Sequence, residues 1–189
     1  YSLAAHYTHG EGYYEQEKLD QNFSDYNLSN IIIGNDTIYN TDLIRRKWLN
    51  NDFGGVTYSL NHKMDKLDLI FGGAYNKYSG QHYGNVIWSE FASDGNFEHE
   101  YYRNIATKFD NNVFLKANFM ASDNTLLFAD LQIRNIDYEF NGNDISGNIG
   151  RQNVQLDFFN PKFGLTHQIN KNQMLYGSYS VANKEPNRA

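Results

Sequence analysis

The stretch Val113-Phe114-Leu115-Lys116-Ala117-Asn118-Phe119-Met120-Ala121-Ser122-Asp123-Asn124-Thr125-Leu126-Leu127-Phe128-Ala129-Asp130-Leu131-Gln132-Ile133-Arg134-Asn135-Ile136-Asp137-Tyr138-Glu139-Phe140 decides the fold. It reads as two strands about the short polar link Ala121-Ser122-Asp123-Asn124. After the link, Leu127, Ala129, Leu131 and Ile133 fall on one face of a pleated strand, and Asp130, Gln132 and Arg134 on the other. Before it, Val113, Leu115, Ala117 and Phe119 share a face, opposite Asn112, Lys116 and Asn118. A buried strand of a parallel sheet would be apolar on both faces. The link below is short, whereas the segments above each strand are long and rich in Asn, Gly, Tyr and charge. Short turns at one end and long loops at the other mark a transmembrane β-barrel.

The same alternation recurs outward from this hairpin. Leu3, Ala5 and Tyr7 alternate with Ser2, Ala4 and His6; Val56-Thr57-Tyr58-Ser59-Leu60 alternates; so do Leu67, Leu69 and Phe71. Phe163 and Leu165 follow, then Leu175, Gly177, Tyr179 and Val181. Antiparallel strands are expected near 1–9, 42–62, 67–79, 108–120, 125–140, 156–169 and 173–183. Short links His62–Lys66, Ala121–Asn124 and Asn170–Asn172 then alternate with long loops at 9–40, 81–106 and 142–155. The expected fold is all-β: an antiparallel up-and-down meander of about seven strands, a partial arc of a large transmembrane barrel. Barrels of this kind close on an even number of strands, so residues 1–189 are expected to be a fragment of one barrel domain.

Three local readings are open to test. Asp42 to Leu49 could be a capped helix with Leu43, Ile44, Lys47 and Trp48 on one face, but it runs directly into an alternating segment and is expected to be strand. Gly54-Gly55 is expected to mark a bulge or close packing. Beyond Arg134 the aromatic pattern changes parity at Ile136, Tyr138 and Phe140, which a bulge would produce.

Composition agrees. The chain has 15 Tyr, 13 Phe and only 2 Pro, which favours sheet over disorder. A mean hydropathy of -0.68 is too polar for a helical membrane protein, and no apolar run nears the roughly 18 residues a membrane helix needs. That absence is compatible with barrel strands, whose alternation averages out as polar. Without cysteine there is no disulfide framework, thiolate metal site or cysteine nucleophile. A net charge of -6, with no basic stripe, argues against a nucleic-acid partner. Three glycosylation sequons, at Asn22, Asn27 and Asn35, fall in one Asn-rich loop and carry little meaning outside a secretory context.

Several phrases resemble the barrel of TonB-dependent outer-membrane receptors of the Bacteroidota type. These are His6-Tyr7-Thr8-His9-Gly10-Glu11-Gly12-Tyr13-Tyr14-Glu15-Gln16, Leu43-Ile44-Arg45-Arg46-Lys47-Trp48-Leu49 and Gly72-Gly73-Ala74-Tyr75-Asn76-Lys77-Tyr78-Ser79-Gly80-Gln81-His82-Tyr83-Gly84. Tyr176-Gly177-Ser178-Tyr179-Ser180-Val181-Ala182-Asn183-Lys184-Glu185-Pro186-Asn187-Arg188 resembles that family's late strand, which ends in an acidic-Pro-polar-Arg corner. The resemblance spans the whole chain but only the middle of such a receptor. It implies a location in the Gram-negative outer membrane and uptake of a scarce ligand, foremost an iron-siderophore, with cobalamin or an oligosaccharide behind. Outer-membrane lipid would surround it, and TonB would act through a plug domain that this stretch does not contain. A surface or secreted β-sandwich or adhesin that binds glycans is the alternative; it requires a second sheet and loops alike at both ends.

No enzyme is expected. Gly10-Glu11-Gly12 lacks the third glycine and following helix of a dinucleotide site, and no Gly-x-Ser-x-Gly elbow occurs. The carboxylate pairs Asp94 with Glu98 and Asp130 with Asp137 read as solvated charge or lumen polarity rather than acid–base machinery. The six histidines lack metal-ligand spacing, and His6 and His9 face opposite sides of a strand, so neither a metal nor a cofactor is expected. Aromatic residues near strand ends (Tyr58, Tyr75, Tyr78, Tyr138, Tyr179) suit the lipid headgroup girdle where they point outward. Those in loops (Tyr13, Tyr14, Tyr83, Trp88) could stack on a ligand. Function concentrates on loops held by a rigid scaffold. His82, Tyr83, Arg45 and Arg46 are therefore the candidate ligand-binding residues, with at least one arginine projecting inward to meet an anionic ligand.

Overall fold

A computed structural model describes residues 1–143 and 149–186. Seven long strands form one antiparallel sheet: β1 (Ser2–Asn22), β4 (Asn40–Lys63), β5 (Leu67–Ser89), β6 (His99–Ser122), β7 (Thr125–Asn143), β8 (Ile149–Asn170) and β9 (Gln173–Ser180). They pair in that order, each with its sequence neighbour in the sheet. The short hairpin β2 (Ile31–Ile33) and β3 (Asp36–Ile38) stands in the first loop, after a 3-10 turn at Phe23–Tyr26. No opposing sheet packs on the seven strands among the described residues, so the sandwich alternative is excluded. The architecture is an unclosed arc of a meander barrel.

Asp42–Leu49 is strand, lying wholly within β4. The expected loops, however, are partly strand. β1 runs on to Asn22, β5 to Ser89, β6 begins at His99, and β7 and β8 extend to Asn143 and back from Ile149. A bilayer crossing takes about 9–11 strand residues, and β4 has 24. About half or more of β1 and of each strand from β4 to β8 therefore stands beyond the membrane, whereas β9, with eight residues, is no longer than one crossing.

Register explains the apparent change of phase after Arg134. β7 pairs without interruption, from Leu126↔Met120 to Gly142↔Asn104 on one side and from Thr125↔His167 to Asn143↔Ile149 on the other. There is no bulge at Arg134. Ile136, Tyr138 and Phe140 simply occupy the face of Gln132 and Arg134, and Ile136 is 2% exposed there. The opposite face changes from Leu131 and Ile133 to Asn135, Asp137 and Glu139. Adjacent strands switch at matching positions, Val113 to Asn111 on β6 and Phe159 to Asp157 on β8. The outward face is apolar where lipid touches it and polar above.

Gly54 and Gly55 mark close packing without a bulge, since His6↔Gly55 and Gly55↔Asn76 lie in continuous register. A Cβ on Gly55 would come within 2.5 Å of the Tyr75 carbonyl oxygen. Pro161, inside β8, is tolerated because β9 ends beside it: its carbonyl accepts from Val181 N at 2.9 Å, so its missing N–H faces the end of that ladder.

The residues after β9 cross the polar face. Asn183 is held by Asn160 and the Phe159 carbonyl, and Glu185 pairs with Lys108 two strands further on. Arg188, the last residue of the family-like corner, lies outside the described residues. Of the girdle candidates, Tyr58, Tyr75 and Tyr179 share the outward face with Phe71, Asn111 and Phe163, whereas Tyr78 and Tyr138 flank Lys108 on the polar face.

Candidate functional site

Among the described residues, six of the seven well-buried apolar side chains form one cluster at the long-loop end: Phe23, Tyr26, Leu28, Leu43, Val86 and Tyr101. Here the first loop folds over the polar, lumen-facing side of the sheet. Asn22 caps the 3-10 turn by accepting from Ser24 N, and Asn27 closes it in a left-handed conformation at φ 55°. Its side-chain amide donates to the Tyr101 carbonyl at 2.8 Å. Asp94, in the loop after β5, accepts from Ser29 N at 2.9 Å and from the Ser29 and Ser93 hydroxyls. Those bonds to the charged form hold its carboxyl down at about 2. The first two outer loops are thus clasped to each other at the barrel mouth.

Under this cover the strand lattice orders the side chains. One lumen-facing row runs Gln16, Arg45, Val86 and His99; the next runs Tyr14, Lys47, Gly84 and Tyr102; below it come Leu49, His82 and Asn104. Arg45 donates to Gln16 Oε1 at 3.0 and 3.2 Å and to the Tyr26 hydroxyl at 3.1 Å. Tyr26 in turn lies 4.8 Å from Tyr101, centroid to centroid, and Tyr101 meets Tyr102 edge-on at 5.0 Å. Burial pushes the Tyr101 phenol up to about 12, against the opposing pull of Arg45. Burial also raises Tyr26 and Tyr102. The Tyr101 hydroxyl is buried beside Arg45, yet makes no hydrogen bond of good geometry. A Cβ at Gly84 would run into the Tyr101 and Tyr102 rings, so glycine there makes room for them beside Lys47.

The outward face at the same height carries a second set. Tyr13, Trp48 and Tyr83 form a ring row, with Trp48 stacked on Tyr83 at 5.8 Å and 6° and tilted to Tyr13 at 4.5 Å. Arg46 lies 4.6 Å over Tyr13 and pairs with Glu15 at 2.9 Å; Arg103 lies 4.3 Å over Tyr83 and pairs with Glu100.

The four sequence-derived candidates therefore divide. Arg45 and His82 face the lumen, two rows apart, whereas Arg46 and Tyr83 stand on the outward face. Consecutive residues on a strand cannot share a face. Lys18, Tyr26, Tyr101 and Tyr102 escaped the sequence reading because their segments read as loop; Lys47 lay in an expected strand, two residues from Arg45 and so on its face, but was not singled out. The alternation Tyr14, Gln16, Lys18 was the signal available. Among the described residues no cluster of three or more His, Asp or Glu side chains could hold a metal.

The family model for the β-barrel of TonB-dependent receptor-like proteins matches residues 1–189. No curated protein and no solved structure matches the chain. The chain belongs to the TonB-dependent receptor β-barrel family, a family of receptors and transporters rather than enzymes.

Proposed function

From that membership we propose that residues 1–189 are a wall segment of an outer-membrane uptake receptor for an iron-siderophore, energised by TonB through a plug domain. The segment would be a middle portion of one barrel domain, of the Bacteroidota type. The observation that carries the reading is the outward face, apolar next to the short turns and polar above, on strands far longer than a bilayer needs. Such strands lift the binding surface clear of the membrane, where a bulky ligand can be met before it enters. The chemistry is binding and release, with no covalent step. Arg45 and His82 would meet the ligand from the lumen side of the rim, and Arg46 and Tyr83 from its outer side.

Deleting the receptor from its host should abolish ionophore-sensitive uptake of ferric siderophore under iron limitation. Uptake at the parental rate would refute the siderophore assignment. Alanine at Arg45, Arg46, His82 and Tyr83 in the full receptor should weaken binding of the same siderophore, and unchanged affinity would remove these residues from the site.

A further inference from the structure

Cations are treated differently on the two faces of the barrel mouth. Among the described arginines, Arg46, Arg103, Arg134 and Arg151 each meet a carboxylate. Arg45 does not: its donors go to the neutral Gln16 and Tyr26. Lys47 shares the same face one row away, and Lys18 pairs with Leu43, diagonal to Arg45 on that face. Neither lysine forms an ion pair among the described residues. The three act on one another: burial first, then Arg45 and Lys18, depress the Lys47 ammonium. The tyrosines around them do not compensate, because a phenol is already neutral at neutral pH and burial raises Tyr101 and Tyr102 further. They remain neutral donors, and the Tyr101 hydroxyl has a proton with no acceptor.

Three like charges gathered on a partly buried surface oppose folding. A ligand of opposite charge would remove that cost. We infer that Lys18, Arg45 and Lys47, beneath the Phe23–Tyr26 turn, form a binding site for a multiply anionic oxygen ligand of the polycarboxylate type. The site rests on the uptake reading and narrows it: the cargo carries several anionic oxygens, and neutral oligosaccharides do not fit. A planar guanidinium offers paired donors to a carboxylate, and the two ammonium groups add point charges on either side. The tyrosine hydroxyls supply further donors.

The test is calorimetric titration of the full-length receptor with citrate as the probe. Lys18→Gln and Lys47→Gln are each expected to weaken citrate binding about tenfold, the usual worth of a hydrogen bond to a charged group. Arg45→Gln should weaken it more, and Lys77→Gln, on the outward face, not at all. The wild-type affinity should fall as salt is raised. Citrate binding unaltered in both lysine variants overturns the inference. So does a wild-type receptor that takes no citrate, the result expected if a carboxylate elsewhere in the receptor already fills the cluster. The deletion strain separates the two readings. Loss of siderophore uptake without citrate binding sinks the anion site alone. Citrate binding that is lost in the lysine variants, with uptake unaffected by deletion, sinks the siderophore assignment and leaves the anion site standing.

Discussion

At the residue scale, neighbouring side chains in one strand answer to different solvents. Leu131 is flanked by Leu115 and Pro161 on the apolar face, and Gln132 by Phe114 and Asn160 on the polar face. Leu131→Arg near the bilayer midplane should cost about 2–4 kcal/mol of barrel stability, and Gln132→Arg far less. Denaturant titration of the full receptor in vesicles checks this; equal losses would reverse the assignment of faces. Asp94 gives a pH prediction. Its carboxyl ordinarily titrates near 3.8 and is held at about 2 by Ser29 and Ser93. A depressed folded value means the loop clasp is fully supported above the unfolded value and is lost as pH falls through about 2. Hydrogen exchange at the Ser29 amide should therefore be unchanged from pH 7 to 5 after correction for intrinsic rate. Asp94→Ala should accelerate it at neutral pH.

At the element scale, the membrane-spanning halves of the strands were legible in the sequence, as were β4 to its upper end and most of β7, whereas the upper parts of β1, β5, β6 and β8 were not. Ala129 to Arg134 alternates cleanly because lipid demands apolar groups on one side and lumen water polar groups on the other. Above Ile133 both faces meet water, and alternation no longer follows from solvent. There the lattice is held by the ladder and by cross-strand contacts such as Tyr13–Trp48 and Trp48–Tyr83, which need a register to be seen. Ile136 misled for the same reason: its burial comes from lumen-side neighbours, not from lipid. The arginine pair was legible as one inward and one outward residue, and Lys47 two positions on shares the face of Arg45, but Lys18 came from a segment without evident strand character. The boundary is measurable, since the chain has no cysteine. Single cysteines placed at 131, 133, 135 and 137 in a cysteine-free receptor should divide sharply. Positions 131 and 133 should resist a membrane-impermeant maleimide added to cells, and 135 and 137 should react. Reaction at 133 as fast as at 137 would place the lipid boundary lower than the outward face indicates.

At the scale of the whole molecule, the seven strands satisfy one another but leave two edges open. β1 exposes a 21-residue edge, and Leu3 and Tyr7 beside it are 75% and 71% exposed. β9 is the other edge, with its eight residues all exposed. In hydrocarbon each unpaired backbone group costs several kcal/mol, so only a closed barrel can span. In water the same edges are templates for further strands. The arc also has little to hold it in water, because its buried cluster lies at the mouth and exposed apolar side chains such as Leu3, Leu115, Ile133 and Phe163 face outward. Residues 1–189 expressed alone and refolded into detergent micelles are therefore expected to aggregate, with no heat-modifiable monomer band on electrophoresis. The full receptor handled in parallel should give that band. A monodisperse, protease-resistant species from 1–189 alone would show that the edges close on each other, and the open arc would then be the wrong description.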